Sequence, residues 1–273
     1  MTASHCRRRF PVRSMRAPAC VALAVLAACG GDGSSTSVRQ SDGITLRAPN
    51  PASAEAVELP SSEVAAIVAL GQTDAGPPPP GEHDHHHGGA STTLPLGAAD
   101  QASFDAEIER ARSAIPSLDT VEEAAAQGYV LATGPSAGIG THWVKWSQIL
   151  EPFDPAAPSM VLFDQTKNPP VLVGYSYAVQ SAQRPVGFTG DGDTWHRHTG
   201  ICVALNGWVV RERSSGPDAC NGSYIAGGDF WMLHAWIVPG WDNRDGTFAP
   251  MNPKLCPRDD VPDFMRCPED PQT

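Results

Sequence analysis

Four histidines carry the strongest chemical signal in this chain: His142, His196, His198 and His234. Two of them, in Thr194-Trp195-His196-Arg197-His198, are spaced i, i+2, so on a β-strand both rings leave the same face and aim at one point. His142 precedes Trp143, and His234 lies between Trp231 and Trp236, so each sits in an aromatic segment able to supply a dry surrounding. Neutral imidazoles without thiolates suit a borderline transition metal, and a copper, zinc or iron ion held by these four residues is the expectation. A second group, His83, His85, His86 and His87, follows four prolines at 77–80 and offers a looser auxiliary set of metal ligands. Carboxylates at Asp191, Asp193, Asp229 and Asp242 are candidates to orient imidazole N–H groups, although their Gly- and Asn-rich settings suit ordinary turns at least as well.

Positioning four rings from four places in the sequence requires strands. Alternating apolar runs bounded by turn residues place strands over 129–132, 141–146, 160–163, 171–179, 196–205, 208–212 and 231–238. Asn206-Gly207 between two of these is a hairpin signal, and Asn168-Pro169-Pro170 is a turn. Two short helices precede them. One starts near Ala99, with Ser103 or Asp105 as its cap and Phe104, Ile108, Ala111 and Ile115 on one side; the other opens at Asp119-Thr120 and ends at Gly128. The fold class expected is mainly β with two short N-terminal helices, built as an antiparallel sandwich or a partly closed barrel.

Upstream of residue 99 the composition changes. Residues 29–98 are rich in Gly, Ser, Ala and Pro and read as a flexible stalk, with one apolar patch at 64–70 of helical spacing. Before it, an arginine-rich start, a short apolar run and small residues ahead of a cysteine make a secretion signal over residues 1–28. The run is too short to span a bilayer. Leu26-Ala27-Ala28-Cys29 resembles the lipobox of bacterial lipoproteins, which implies lipidation of Cys29 and attachment to the membrane through that lipid. Gly30 stands where that family's inner-membrane sorting residue, an aspartate, would fall, so the resemblance implies the cell envelope and, in a Gram-negative host, the outer membrane.

The organisation is thus signal 1–28, stalk 29–98 and one β-rich domain over 99–273. With five arginines and no carboxylate before Cys29, the remainder keeps 14 basic and 30 acidic residues, a net charge of −16. A chain this acidic has no footprint for nucleic acid. Four cysteines remain after Cys29, an even number that implies disulfides in an exported protein. Of three possible connectivities, Cys202–Cys220 with Cys256–Cys267 encloses the shortest turn-rich segments; a four-cysteine zinc site lacks any C-x-x-C pair.

Gly190, five residues, then His196-Arg197-His198 resembles the start of the first cupin motif, but Ile201, Cys202 and Val203 stand where its glutamate would fall. That resemblance implies an iron or copper oxygenase. Segments 138–143, 172–177, 195–200, 233–236 and 245–253 are also similar to a set of uncharacterised exported bacterial proteins, which supports the domain boundaries alone. No phosphate-binding loop, G-x-S-x-G elbow or H-E-x-x-H helix is present, and Asp242-Asn243-Arg244-Asp245-Gly246 lacks the bidentate glutamate of a calcium loop. Three function classes follow: metal binding or delivery at the envelope, a metal-dependent enzyme, and a non-catalytic adhesion or assembly module whose histidines are core residues.

Overall fold

The computed structural model describes residues 59–78 and 95–256. Among them, three α-helices (α1, Ser61–Leu70; α2, Ala98–Arg112; α3, Val121–Ala126) accompany nine short strands. The strands are β1 (Val130–Leu131), β2 (Thr141–Val144), β3 (Met160–Asp164), β4 (Val171–Gln180), β5 (His196–Arg197), β6 (Ile201–Val203), β7 (Val209–Arg211), β8 (Ser223–Ile225) and β9 (Phe230–Ala235). They form a six-stranded sheet in the order β1-β2-β3-β4-β9-β5 and a three-stranded sheet in the order β7-β6-β8, all antiparallel. The fold is mainly β and sandwich-like, without a closed barrel.

Alternation along the large sheet sorts its side chains into two cores. Val161, Tyr175, Tyr177, Leu233 and Ala235 face α2 and α3 through Ile108, Ala111 and Ala124. Val144, Met160, Ala178 and Met232 face the small sheet and α1, meeting Ile201, Val203, Ile225, Ala66, Ile67 and Leu70. The large sheet is therefore the middle layer of three.

Three local expectations are corrected. Residues 59–78, read from composition as stalk, include α1, whose buried Ala66, Ile67 and Leu70 belong to the second core. Glu63, buried in that helix, accepts hydrogen bonds from Ser147 N (3.0 Å) and Ser147 Oγ (2.5 Å), and a composition argument has no access to such a partner. Helix α2 has no side-chain cap: Gly97 occupies that position, Ser103 donates back to Ala99 O and Asp105 accepts from Gln101. By contrast α3 has the full reciprocal box between Thr120 and Glu123. The run 196–205 is two strands in two sheets, separated at Gly200, where φ is +58° and a Cβ would stand 2.3 Å from Ser214 O.

Cys202 and Cys220 form a disulfide that ties β6 to the turn at Pro217–Ala219. Cys256 is also disulfide-bonded; Cys267, its expected partner, lies outside the described residues, as do the secretion signal, Cys29 and the histidines at 83, 85, 86 and 87. No helix among the described residues is long and apolar enough to cross a membrane.

Candidate metal centre

Cross-strand register brings three of the four histidines to one face of the large sheet. His142 on β2 pairs with Leu162, which pairs with Gly174 on β4; two residues on, Ser176 pairs with His234 on β9; Met232, two before His234, pairs with His196 on β5. Paired residues share a face and so do residues two apart. All of these side chains thus emerge on the side of the small sheet.

Two strands lie between β2 and β9 and the two positions are staggered by two residues, so on a flat sheet the Cα atoms of His142 and His234 would stand about 16 Å apart. Their Nε2 atoms meet at 3.4 Å. The two rings therefore lean toward one another across β3 and β4, on the face turned to the small sheet. Small residues on β4 make this possible: Gly174 has no side chain, and Ser176, fully buried, has only a hydroxyl, which finds no hydrogen-bond partner. A Cβ at Gly174 would stand 2.9 Å from Trp236 Cε3, so the glycine also lets that indole lie across the strand, its centroid 5.9 Å from the His234 ring.

The remaining rings close the group. His196 and His234 have centroids 5.7 Å apart, and His196 and His198 5.4 Å apart. His198 follows the last residue of β5, where the chain leaves the large sheet for the small one, so the cluster sits at a corner joining the two. A second connection lies beside it: Ala132 N donates to His142 O and Ala132 O accepts from Val209 N, each at 2.8 Å.

Three of the histidines have an oxygen within hydrogen-bond distance of Nδ1, and the fourth, His198, has a carboxylate at ion-pair distance. His234 Nδ1 lies 2.8 Å from Pro250 O, His196 Nδ1 3.0 Å from Thr194 O, His142 Nδ1 3.2 Å from Thr133 Oγ1, and His198 Nδ1 3.6 Å from Glu212 Oε1. An imidazole whose Nδ1–H is given to an oxygen carries its lone pair on Nε2, the arrangement found in metal-ligating histidines. A tetrahedral ion with Zn–N bonds of about 2.0–2.1 Å sets neighbouring nitrogens about 3.4 Å apart. The His142–His234 pair has that spacing already. Among the described residues, however, no group of three or more His, Cys, Asp or Glu side chains stands at the geometry of a completed metal centre.

Electrostatics favour neutral rings. Burial pushes His142 down to about 4, against an opposing pull from Glu212. His196 is lowered to about 4 by burial and by His198, and His234 falls well below its ordinary value through burial and the neighbouring His196 and His142. At Glu212 burial raises the carboxyl, but the hydrogen bond and charge of His198, with His142 and Arg213, outweigh it and hold the group at about 2. The Glu212 side chain is 46% exposed, so its pairing with His198 is screened by solvent. Arg213, the non-glycine residue with positive φ (56°) among the described residues, turns the chain there, its N–H donating to Thr199 O.

Sequence reasoning named the four rings but not their holders. Of the carboxylates expected nearby, Asp193 accepts from Trp195 Nε1 and Asp229 from Gln180 Nε2 and Thr73 Oγ1, while the carboxylate beside a histidine is Glu212. Asp193 is raised to about 6, chiefly by burial. Thr194 O, two residues before His196, was within reach of a local argument; Thr133 and the carbonyl of Pro250 arrive through tertiary folding.

The chain flanking the His83–His87 segment comes close to the cluster on one side. A Cβ at Gly227 would lie 1.7 Å from His198 O and 3.4 Å from Pro78 Cδ, so Pro78 and the His198 carbonyl both border Gly227. On the other side Leu96 covers Gly190, where a Cβ would meet Leu96 Cδ2 at 2.7 Å. No family model, curated protein or solved structure matches the chain.

Proposed function

We propose that this chain is an exported, lipid-anchored envelope protein that binds a transition-metal ion (copper, zinc or iron) through His142, His196, His198 and His234, in metal binding or delivery. One observation supports the reading: four imidazoles from three segments gather in one cluster, three with an oxygen within hydrogen-bond distance of Nδ1 and His198 with the Glu212 carboxylate at 3.6 Å, and two of them have Nε2 atoms at the 3.4 Å spacing of neighbouring ligands on a tetrahedral ion. A complete centre requires the His196 and His198 rings to close on that pair. The depressed pKa values support the reading, because ligands that are neutral at pH 7 need not shed a proton before binding.

Delivery draws on the histidines at 83, 85, 86 and 87. His83 is five residues beyond Pro78, a reach of at most about 18 Å, and Pro78 borders Gly227 together with the His198 carbonyl. The lipid at Cys29 keeps the protein at the membrane surface, and the Cys202–Cys220 disulfide fits an oxidising compartment.

Elemental analysis of the full chain tests the proposal, using a form in which the four tract histidines are alanine and no affinity histidine tag is present. About one equivalent of metal is expected, with loss in the His196→Ala/His198→Ala variant. Equal metal content in both forms contradicts the assignment and leaves the histidines as hydrogen-bonded core residues of a binding module.

A further inference from the structure

The oxygens behind the four imidazoles are not chemically alike. Pro250 O and Thr194 O are carbonyls and Glu212 carries a carboxylate, so all three act only as acceptors and favour Nδ1–H with the lone pair on Nε2. Thr133 Oγ1 is a hydroxyl. It accepts the backbone N–H of His142 at 3.0 Å and retains its own proton, which it can donate to His142 Nδ1 at 3.2 Å, or it can accept from that nitrogen through its second lone pair.

Hydrogen-bond direction decides which of these holds without metal. Pro250 O must accept, so His234 carries its proton on Nδ1, and as a buried neutral ring it presents a bare Nε2. The 3.4 Å contact between His234 Nε2 and His142 Nε2 then needs its proton from His142. His142 is consequently the Nε2–H tautomer, with Nδ1 accepting from Thr133. The relay runs from Thr133 O–H to His142 Nδ1, from His142 Nε2–H to His234 Nε2, and from His234 Nδ1–H to Pro250 O.

We infer that His142 is the exchangeable ligand of this site, and that Thr133, as a positioning residue, allows it to move between two neutral tautomers. The inference rests on the metal-binding reading above. To act as a ligand, His142 would release its Nε2 proton to solvent and take one up from solvent at Nδ1, while the Thr133 O–H turns away and Oγ1 accepts from Nδ1–H, so that no net proton is gained or lost and the bond to His234 is given up. The other anchors hold their rings ready throughout. His142 is thus the ligand that would join last and leave first, and its exchange would leave one coordination position free for an incoming small ligand or for transfer onward.

The test is long-range ¹H–¹⁵N NMR of the histidine side chains in the full chain, without metal and with Zn²⁺ as the diamagnetic probe, with bound zinc counted by elemental analysis. Expected without metal are Nε2–H for His142 and Nδ1–H for His196 and His234; with zinc, His142 converts to Nδ1–H and the others stay. Finding His142 as Nδ1–H without metal overturns the inference, and so does bound zinc that leaves His142 as Nε2–H. The expected metal-free pattern with no zinc bound overturns the metal reading instead, and the exchange with it. In a second measurement, Thr133→Val is expected to weaken zinc binding about 10- to 100-fold and Thr133→Ser to restore it to within about twofold. Wild-type affinity in folded Thr133→Val contradicts the positioning role.

Discussion

At the scale of single residues, the cluster ties stability to pH. His142 and His196 are lowered to about 4 from an ordinary 6.5, and His234 is also lowered well below that value, burial being the largest cause in each case. A histidine whose folded value is depressed leaves the unfolded chain to take up protons first as pH falls. Stability is then fully present above about pH 7 and is lost between about 6.5 and 4, with a slope of up to about 1.4 kcal/mol per pH unit for each such ring. Urea midpoints measured without metal from pH 7 to pH 4 should fall steeply, and less so in His234→Gln, which removes one titrating ring. A midpoint that stays level across this range contradicts the buried, neutral state of the rings. In the proposed metal-binding role the same burial would keep them neutral at pH 7.

Among the elements, β4 does the most to shape the site, because Gly174 and Ser176 leave space on the face turned to the small sheet. Gly174→Ala is expected to displace Trp236, whose indole N–H donates to Ala249 O at 2.7 Å and whose ring backs His234. Overpacking of this kind costs about 1–3 kcal/mol, and a lower melting temperature together with weaker metal binding is the expected result. Unchanged values for both properties would mean that the space at the cluster is not set by this glycine. How much of this was legible follows from the range of each signal. Alternation and turn residues located β1 to β4, β7 and β9 to within a few residues, and the i, i+2 spacing put His196 and His198 near one point. β8 was missed because Ser223-Tyr224-Ile225 is too short to show a period, and the break at Gly200 because the crowding by Ser214 O that demands a glycine comes from a distant segment. The histidines were visible as residue types. The oxygens that orient them, on Thr133, Glu212 and Pro250, were hidden because each is brought in by a different loop or strand end.

For the whole molecule, the domain is a three-layer body into which α1 is built, rather than a β-domain hung on a stalk that runs to residue 98. Ile67 on α1 has no exposed surface and packs in the core between the two sheets. Ile67→Ala should therefore cost about 2–5 kcal/mol of unfolding free energy in denaturant titrations, whereas a residue on a free stalk would cost close to nothing. This arrangement also sets Pro78, the last described residue before the histidine tract, against Gly227, which the His198 carbonyl also borders, and so links the tract to the cluster in the proposed delivery role. The central claim is that the histidine cluster where the chain passes between the two sheets holds a metal ion. The most direct measurement is the metal content of the full chain, with the tract histidines replaced by alanine, after challenge with copper, zinc and iron and removal of loosely bound ions. The account predicts close to one ion per chain, lost when His196 and His198 are both changed to alanine. A folded parent protein that retains no metal from any of the three would contradict it.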